Sequence, residues 1–310
     1  MFEVFKVRRT LPFMAAGKPW FALSVIAVML SIAALAFRGL NLGIDFTGGT
    51  VIEVMYPEPI SADVVRQKLA AIDLGDATVQ NFGTARDVLI RVPVKPEVTS
   101  AKLSETVLAA LREREPKVEM KRVEFVGPQV GDELLFDGLL ALVVVTLGIM
   151  GYLAVRFEWK FSVGAIVATF HDVIIIFGLF AAFQWNFDLT ALAAVLAILG
   201  YSVNDTVVVF DRIRENFRRM RRGTVPEIID DAITVTLSRT ILTTGSALLM
   251  VFSILFFGGD VLYYFALALA IGMVVGCYST IFVASTVTMW LGLSREDFIK
   301  PEKKTQDAQV

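Results

Sequence analysis

Charged residues in this chain are mostly bunched, into 1–19, 53–137, 156–160, 211–239 and 295–307, and the gaps between are apolar. Five apolar runs are clear, at 19–37, 138–155, 161–183, 189–210 and 240–257, and a sixth extends from about 261 to 291. Each has 17 residues or more. A helix rising about 1.5 Å per residue crosses a bilayer in roughly 20 residues. The pattern predicts an α-helical polytopic membrane protein with six transmembrane helices. The first covers 20–37. The other five lie in a membrane domain, 134–291, at 138–155, 161–183, 189–210, 240–257 and 261–291.

Residues 38–133, between spans one and two, read differently. Strand-like stretches occur at TVIEVMY (50–56), ATVQNF (77–82), RDVLIRV (86–92) and KVEMKRVEFV (117–126). Helical spacing occurs at Val64, Val65, Leu69 and Ile72, and again at Leu103, Val107, Leu108 and Leu111. Alternation is clean in 86–92 and imperfect in 117–126. The order βαββαβ predicts a small α+β, ferredoxin-like extracytoplasmic domain. It has no His, no Cys and no Ser beside a base, so no catalytic set is visible and an interaction domain is the reading. Enzyme activity is not expected.

Composition and charge set the compartment. The chain is 55% hydrophobic with a mean hydropathy of +0.65, above a soluble domain. The net charge of −2 averages over two sides of a membrane and says little. Lysine and arginine in the short segments say more. Lys6, Arg8, Arg9 and Lys18 precede span one, Arg156 and Lys160 follow span two, and six arginines lie in 212–222. The turns 184–188 and 258–260 carry neither residue. Residues 1–19, the loop 211–239 and the tail 292–310 are therefore expected in the cytoplasm. Reading the first run as a cleaved signal peptide would leave five spans and set one terminus against this rule.

In the cytoplasmic loop, Thr224 to Glu227 fits a capping box with Pro226 in the first turn. Ile228, Ile229, Ala232 and Ile233 form an apolar stripe, with Asp230 and Asp231 facing away. A helix lying at the membrane surface is expected there.

The spans hold few polar groups, and these are the candidates for function. Asp205 lies seven residues before Arg212, roughly 10 Å inside the hydrocarbon. A charged side chain at the centre of a span costs about 2.5–3.5 kcal/mol on insertion scales. Tyr201, Ser202 and Asp205 share a face, with Asn204 beside them. His171 and Asp172 lie near the middle of span three, and Arg239 starts a polar face with Thr243 and Ser246. Arg239 has a bland alternative as an interfacial side chain reaching to the cytoplasm, and His171 as a packed residue. A carboxylate in lipid can carry a proton, because burial favours the neutral form and a nearby cation the charged one. No Walker-type loop is present, which leaves an ion gradient or no energy source. The lone Cys277 excludes an intrachain disulfide. No cofactor, metal site or nucleic-acid partner is expected.

DFTGGT (45–50), EFVGPQVGDEL (124–134), FEW (157–159), HDV (171–173), GYSVNDTVVVFDRIREN (200–216) and SRTILTTG (238–245) follow one another over nearly the whole chain. Together they resemble the SecD/SecF protein-export family of the resistance-nodulation-division superfamily, on its SecF side. The resemblance implies a bacterial inner-membrane subunit that pairs with SecD. It implies use of a proton or sodium gradient to promote late preprotein export through SecYEG, with YajC and YidC as further partners. It assigns the ion path to Asp205 and Arg239, with Asn204 in the same motif, and leaves Asp172 and His171 as second candidates. Asp45, Gly48 and Gly49 match the GG motif. The alternatives are an ion-driven exporter of lipids or small apolar molecules, and a passive scaffold.

Overall fold

The computed structural model describes residues 10–298 apart from 83, 95–98, 114 and 221. The basic segment 1–9 and the tail beyond 298, both expected in the cytoplasm, lie outside the described residues. In chain order the helices are α1 (Gly17–Arg38), α2 (Ile44–Thr47), α3 (Ala62–Ala70), α4 (Ser100–Arg112), α5 (Pro128–Arg156), α6 (Trp159–Phe183), α7 (Leu189–Arg219), α8 (Val225–Phe257), α9 (Asp260–Ser279) and α10 (Ser285–Trp290). A π-helical turn, Thr280–Ala284, joins the last two. The strands are β1 (Asn41–Leu42), β2 (Gly49–Met55), β3 (Thr78–Phe82), β4 (Thr84–Val92), β5 (Glu119–Val126) and β6 (Asn186–Phe187).

Among the described residues six helical segments are long and apolar enough to cross a membrane, with α9, the π turn and α10 acting as one. Between the first two lies a four-stranded sheet in the order β3-β4-β2-β5, antiparallel throughout. One face of it, Ile52, Val54, Val88 and Ile90, is covered by Val65 and Leu69 of α3 and Leu103, Val107 and Leu111 of α4. The other face turns Val51 and Leu89 toward the bundle, where they pack with Ile44, Phe82 and Tyr264 of α9. The imperfect alternation of 117–126 has a cause: β5 is an edge strand with a bulge, so that Glu53 pairs with Arg122 and Val54 with Met120.

The end of the bundle nearest the sheet is tied to this domain through the GG motif. Gly48 (φ +66°) ends α2 and Gly49 (φ +125°) opens β2, both in the region that favours glycine. A Cβ on Gly49 would lie 2.7 Å from the Val92 carbonyl oxygen, and one on Gly131 of α5 would lie 2.8 Å from the Gly48 nitrogen. β1 and β6 form a parallel ladder, Asn41 with Asn186 and Leu42 with Phe187.

One expectation is corrected. Residues 211–239 are not a loop with a surface helix: α7 continues to Arg219 and α8 begins at Val225, so only 220–224 connect them. The capping box at Thr224 and Glu227 is present, but the helix it starts runs unbroken into span five. Nothing after Pro226 interrupts it, and the charges that read as a loop decorate helix ends that project beyond the apolar layer. The stripe Ile228, Ile229, Ala232 and Ile233 is fully packed, against Phe210, Ile213 and Phe217 of α7. The two aspartates expected to face outward are also engaged. The Met14 amide donates to Asp230 Oδ1 at 2.8 Å, and Asn216 Nδ2 donates to Asp231 Oδ2 at 2.9 Å.

Candidate ion pathway in the membrane bundle

α7 is the central element of the site. Asp188 caps it, accepting from the Ala191 amide at 2.8 Å, and Asp45 of the GG motif accepts from the Leu189 amide at 2.9 Å. Carboxylates at a helix N-terminus satisfy amides that have no partner within the helix. The outer end of α7 is thus held by the loop that follows span one. Arg91 of β4 is buried there and donates to Asn41 Oδ1 at 3.1 Å.

Seventeen residues further along α7, Asp205 is half-buried between helices. Its Oδ1 accepts from Thr240 of α8 at 2.8 Å. Arg239, the residue before Thr240, is exposed and lies within electrostatic reach of the Asp205 carboxylate. Consecutive residues of α8 project about 100° apart, so Thr240 turns to Asp205 while Arg239 faces a cleft of about 330 Å³. Val208, Asp211, Arg212, Glu215 and Thr236 line that cleft. Asp205 therefore meets a buried hydroxyl, and Val208, three residues along α7, lines the charged cleft that Arg239 faces. Asn204 is not part of this arrangement. It is exposed on the outer surface of α7, in line with Ala193, Ala197 and Gly200.

Asp172 of α6 meets α7 one turn before Asp205 and is 1% exposed. Ser202 of α7 donates to its Oδ2 at 2.6 Å, and Ser279 of α9 at 2.9 Å. His171 Nδ1 is 2.9 Å from its Oδ1. A further polar chain links α7, α8 and α9: Tyr201 donates to Thr244 at 3.0 Å, and Thr244 is 3.1 Å from the Cys277 thiol. The structure thus groups Asp205 with Arg239, and Asp172 with His171, and leaves Asn204 apart. Thr240, Ser279 and Thr244 escaped the sequence reading. The repeated hydroxyls of SRTILTTG and the Ser279-Thr280 pair inside an apolar run are the only signals for them. No group of three metal-ligating side chains occurs among the described residues.

Residues 106–294 match the family described as protein export membrane protein SecD/SecF, C-terminal, and residues 33–56 match the SecD/SecF GG motif. The protein translocase subunit SecF of Vibrio alginolyticus is 44% identical over 310 residues, covering 100% of this chain and 98% of that protein. The chain belongs to the SecD/SecF family. The SecF of Pseudomonas aeruginosa is 45% identical over 298 residues, 95% of this chain and 96% of that protein. Among solved structures, SecDF of Thermus thermophilus, described as a translocon-associated membrane protein, superposes with a TM-score of 0.84 at 33% identity over 93% of this chain. This chain spans 39% of the length of that SecDF chain. A SecDF structure in a super-membrane-facing form superposes less closely, with a TM-score of 0.69. Family membership and six apolar helices make the chain a multi-pass membrane protein of Sec protein export. The GG-motif match contains the glycine turn between α2 and β2, and the longer match contains the polar groups along α7 and α8.

Proposed function

We propose that this chain is the SecF half of a SecDF translocation motor in the bacterial inner membrane, with both termini in the cytoplasm. The motor uses a proton or sodium gradient to draw preproteins out of SecYEG, with YajC and YidC as associated proteins. Asp205 is the observation that carries the reading. It is an ionisable group within a span, held by one hydroxyl, with a guanidinium in electrostatic reach that itself lines a charged cleft. Ionisable residues in membrane helices are costly and mark ion paths. Arg239 favours the charged carboxylate, so its approach and withdrawal would load and unload Asp205. The exposed line through Ala193, Ala197, Gly200 and Asn204 supports a helix partner at this face, because small residues let helices approach closely. SecD is that partner.

The test is Asp205→Asn in the complex reconstituted in vesicles. The amide is nearly isosteric and cannot change charge. The variant is expected to insert and co-purify with SecD but to lose the gradient-dependent part of export. Undiminished gradient dependence would place the carrier elsewhere.

A further inference from the structure

The sheet rests on the bundle over a cavity of about 180 Å³, lined from β4 and β5 on one side and from the GG loop and the starts of α7 and α9 on the other. Val51, Phe82 and Leu89 form the apolar part of this seat, with Ile44 and Tyr264. The rest of it is charged. Arg91 of β4 lines the cavity and is 8% exposed. Its Nη1 donates to Asn41, but its Nη2 is buried with no hydrogen-bond partner among the described residues. The Oδ1 of Asn186, which lines the same cavity, is buried and unpaired in the same way. Asp45 and Asp188 lie within electrostatic reach of the Arg91 guanidinium. These are the two carboxylates that cap the Leu189 and Ala191 amides at the start of α7. The sheet thus sets one buried cation against the two anions that fix the first turn of that helix.

We propose that this cavity is a hydrated electrostatic joint in which Arg91 is a positioning residue: through Asp45 and Asp188 it passes the seating of the sheet to α7, the helix that bears Asp205. The inference rests on the proposed ion-driven cycle and connects it to the domain between spans one and two. A polar cavity of this volume admits several waters, and a guanidinium keeps its charge when buried. A seat of charges and water separates at less cost than a dry apolar one, because each group exchanges its protein partner for water. α7 is one helix from Leu189 to Arg219, and a rigid element carries a shift of its first turn to Asp205.

The charged and titratable groups facing Asp188 across the joint are Asp45 of α2, Arg91 of β4, Arg122 and Glu124 of β5 and Tyr264 of α9. Arg122 is engaged by Glu53 and Glu124, at 3.5 and 3.1 Å, which leaves Arg91, among the described residues, as the cation for α7. Burial, with the Asp45 carboxylate beside it, raises Asp188 above its ordinary value despite the Thr190 hydroxyl, the Ala191 amide and Arg91. Water entering an opened joint would bring it back down. A carboxyl raised in the closed form binds its proton more tightly there, so acid favours the closed joint and rising pH opens it.

The test is hydrogen exchange, followed by peptide mass spectrometry, on the full chain in complex with SecD in vesicles. Exchange is corrected for the intrinsic effect of pH. In Arg91→Met the peptide holding Leu189 and Ala191 is expected to exchange about tenfold faster, the loss of one bond to a charged group. The peptide of α4, on the far side of the sheet, is expected to stay protected. In the unmodified protein, exchange at Leu189 and Ala191 is expected to rise with pH, and in Asp188→Asn to lose that dependence. Gradient-driven export is expected to fall in Arg91→Met and to recover in part in Arg91→Lys, which keeps the charge without the planar fork. Unchanged exchange at the start of α7 in Arg91→Met, beside a protected α4, overturns the inference. So does a flat pH profile in the unmodified protein, which decides the matter even if Arg91→Met fails to fold. Undiminished export in an Arg91→Met variant whose exchange has risen also overturns it, with the proposed function intact. Export that depends on no gradient even in the unmodified protein defeats the proposed function instead, and the exchange results still decide the joint.

Discussion

Thr240 donates a hydrogen bond to Asp205, and the residue beside it, Arg239, faces a cleft instead of pairing directly with that carboxylate. A single turn of α8 thus presents the same acid with a neutral hydrogen-bond donor and, at longer range, a guanidinium.

Arg239→Met is expected to abolish gradient-dependent export while leaving the complex assembled. Each elementary charge moved across 100 mV is worth about 2.3 kcal/mol, so stopping the carrier removes a driving force well above thermal energy. Arg239→Lys is expected to restore only part of the activity, since an ammonium lacks the planar fork of a guanidinium. Export into vesicles with and without an imposed gradient is the measurement. Full activity in the Met variant would reduce Arg239 to an interfacial side chain.

Gly49→Ala is expected to lower the yield and thermal stability of the folded protein. Strain at its φ of +125° is of order 1–3 kcal/mol, and the added methyl would meet the Val92 carbonyl oxygen. Gly39 has φ +65° and nothing within 4 Å of a Cβ. Gly39→Ala is expected to cost about 1–3 kcal/mol, from backbone strain alone. Comparing the two by thermal unfolding in detergent isolates the steric part.

The four-stranded sheet carries an acid-sensitive pair. Burial alone would push the Asp87 carboxyl up, but the Lys121 ammonium at 2.8 Å and the Thr84 hydroxyl outweigh it and hold Asp87 below its ordinary value. A lowered folded-state value contributes stability above the unfolded value, near pH 4, and loses it as pH falls through the folded one. The two-helix core of the domain favours folding in isolation. A soluble fragment, 40–133, is expected to unfold on acidification below about pH 4. In Asp87→Asn the fragment is expected to be weaker at neutral pH and less sensitive to acid. Circular dichroism against pH decides it. A fragment that never folds would show that the bundle is required.

Ile229→Ala is expected to destabilise the protein by about 2–4 kcal/mol, because the side chain is fully buried between α7 and α8. A helix merely lying on the lipid surface would lose far less. Thermal unfolding of the complex distinguishes them.

The apolar runs announced the six spans, and the alternation in β2 and β4 with the periodic Val65, Leu69, Val107 and Leu111 announced the two-layer domain. Burial of one face imposes both patterns on the sequence. The ends of α7 and α8 were hidden, since an arginine on the outer face of a projecting helix and one in a loop look alike. Asp205 was conspicuous because a carboxylate is expensive in lipid. Its partner Thr240 was not, because hydroxyls bond readily to their own helix and cost little there. The ladder between Asn41 and Asn186 left no signal, since two-residue strands have no period.

That ladder has a consequence for the order of events during synthesis. Leu42 waits for Phe187, and Asp45 for the amide of Leu189, about 145 residues later in the chain. At 5–20 residues per second, the ribosome needs roughly 7–30 s to supply them. Until the turn after α6 has been made, the stem joining α1 to the sheet has no strand to pair with. The sheet can close its own core early, but its seating on the bundle is a late step, completed only when the start of α7 arrives.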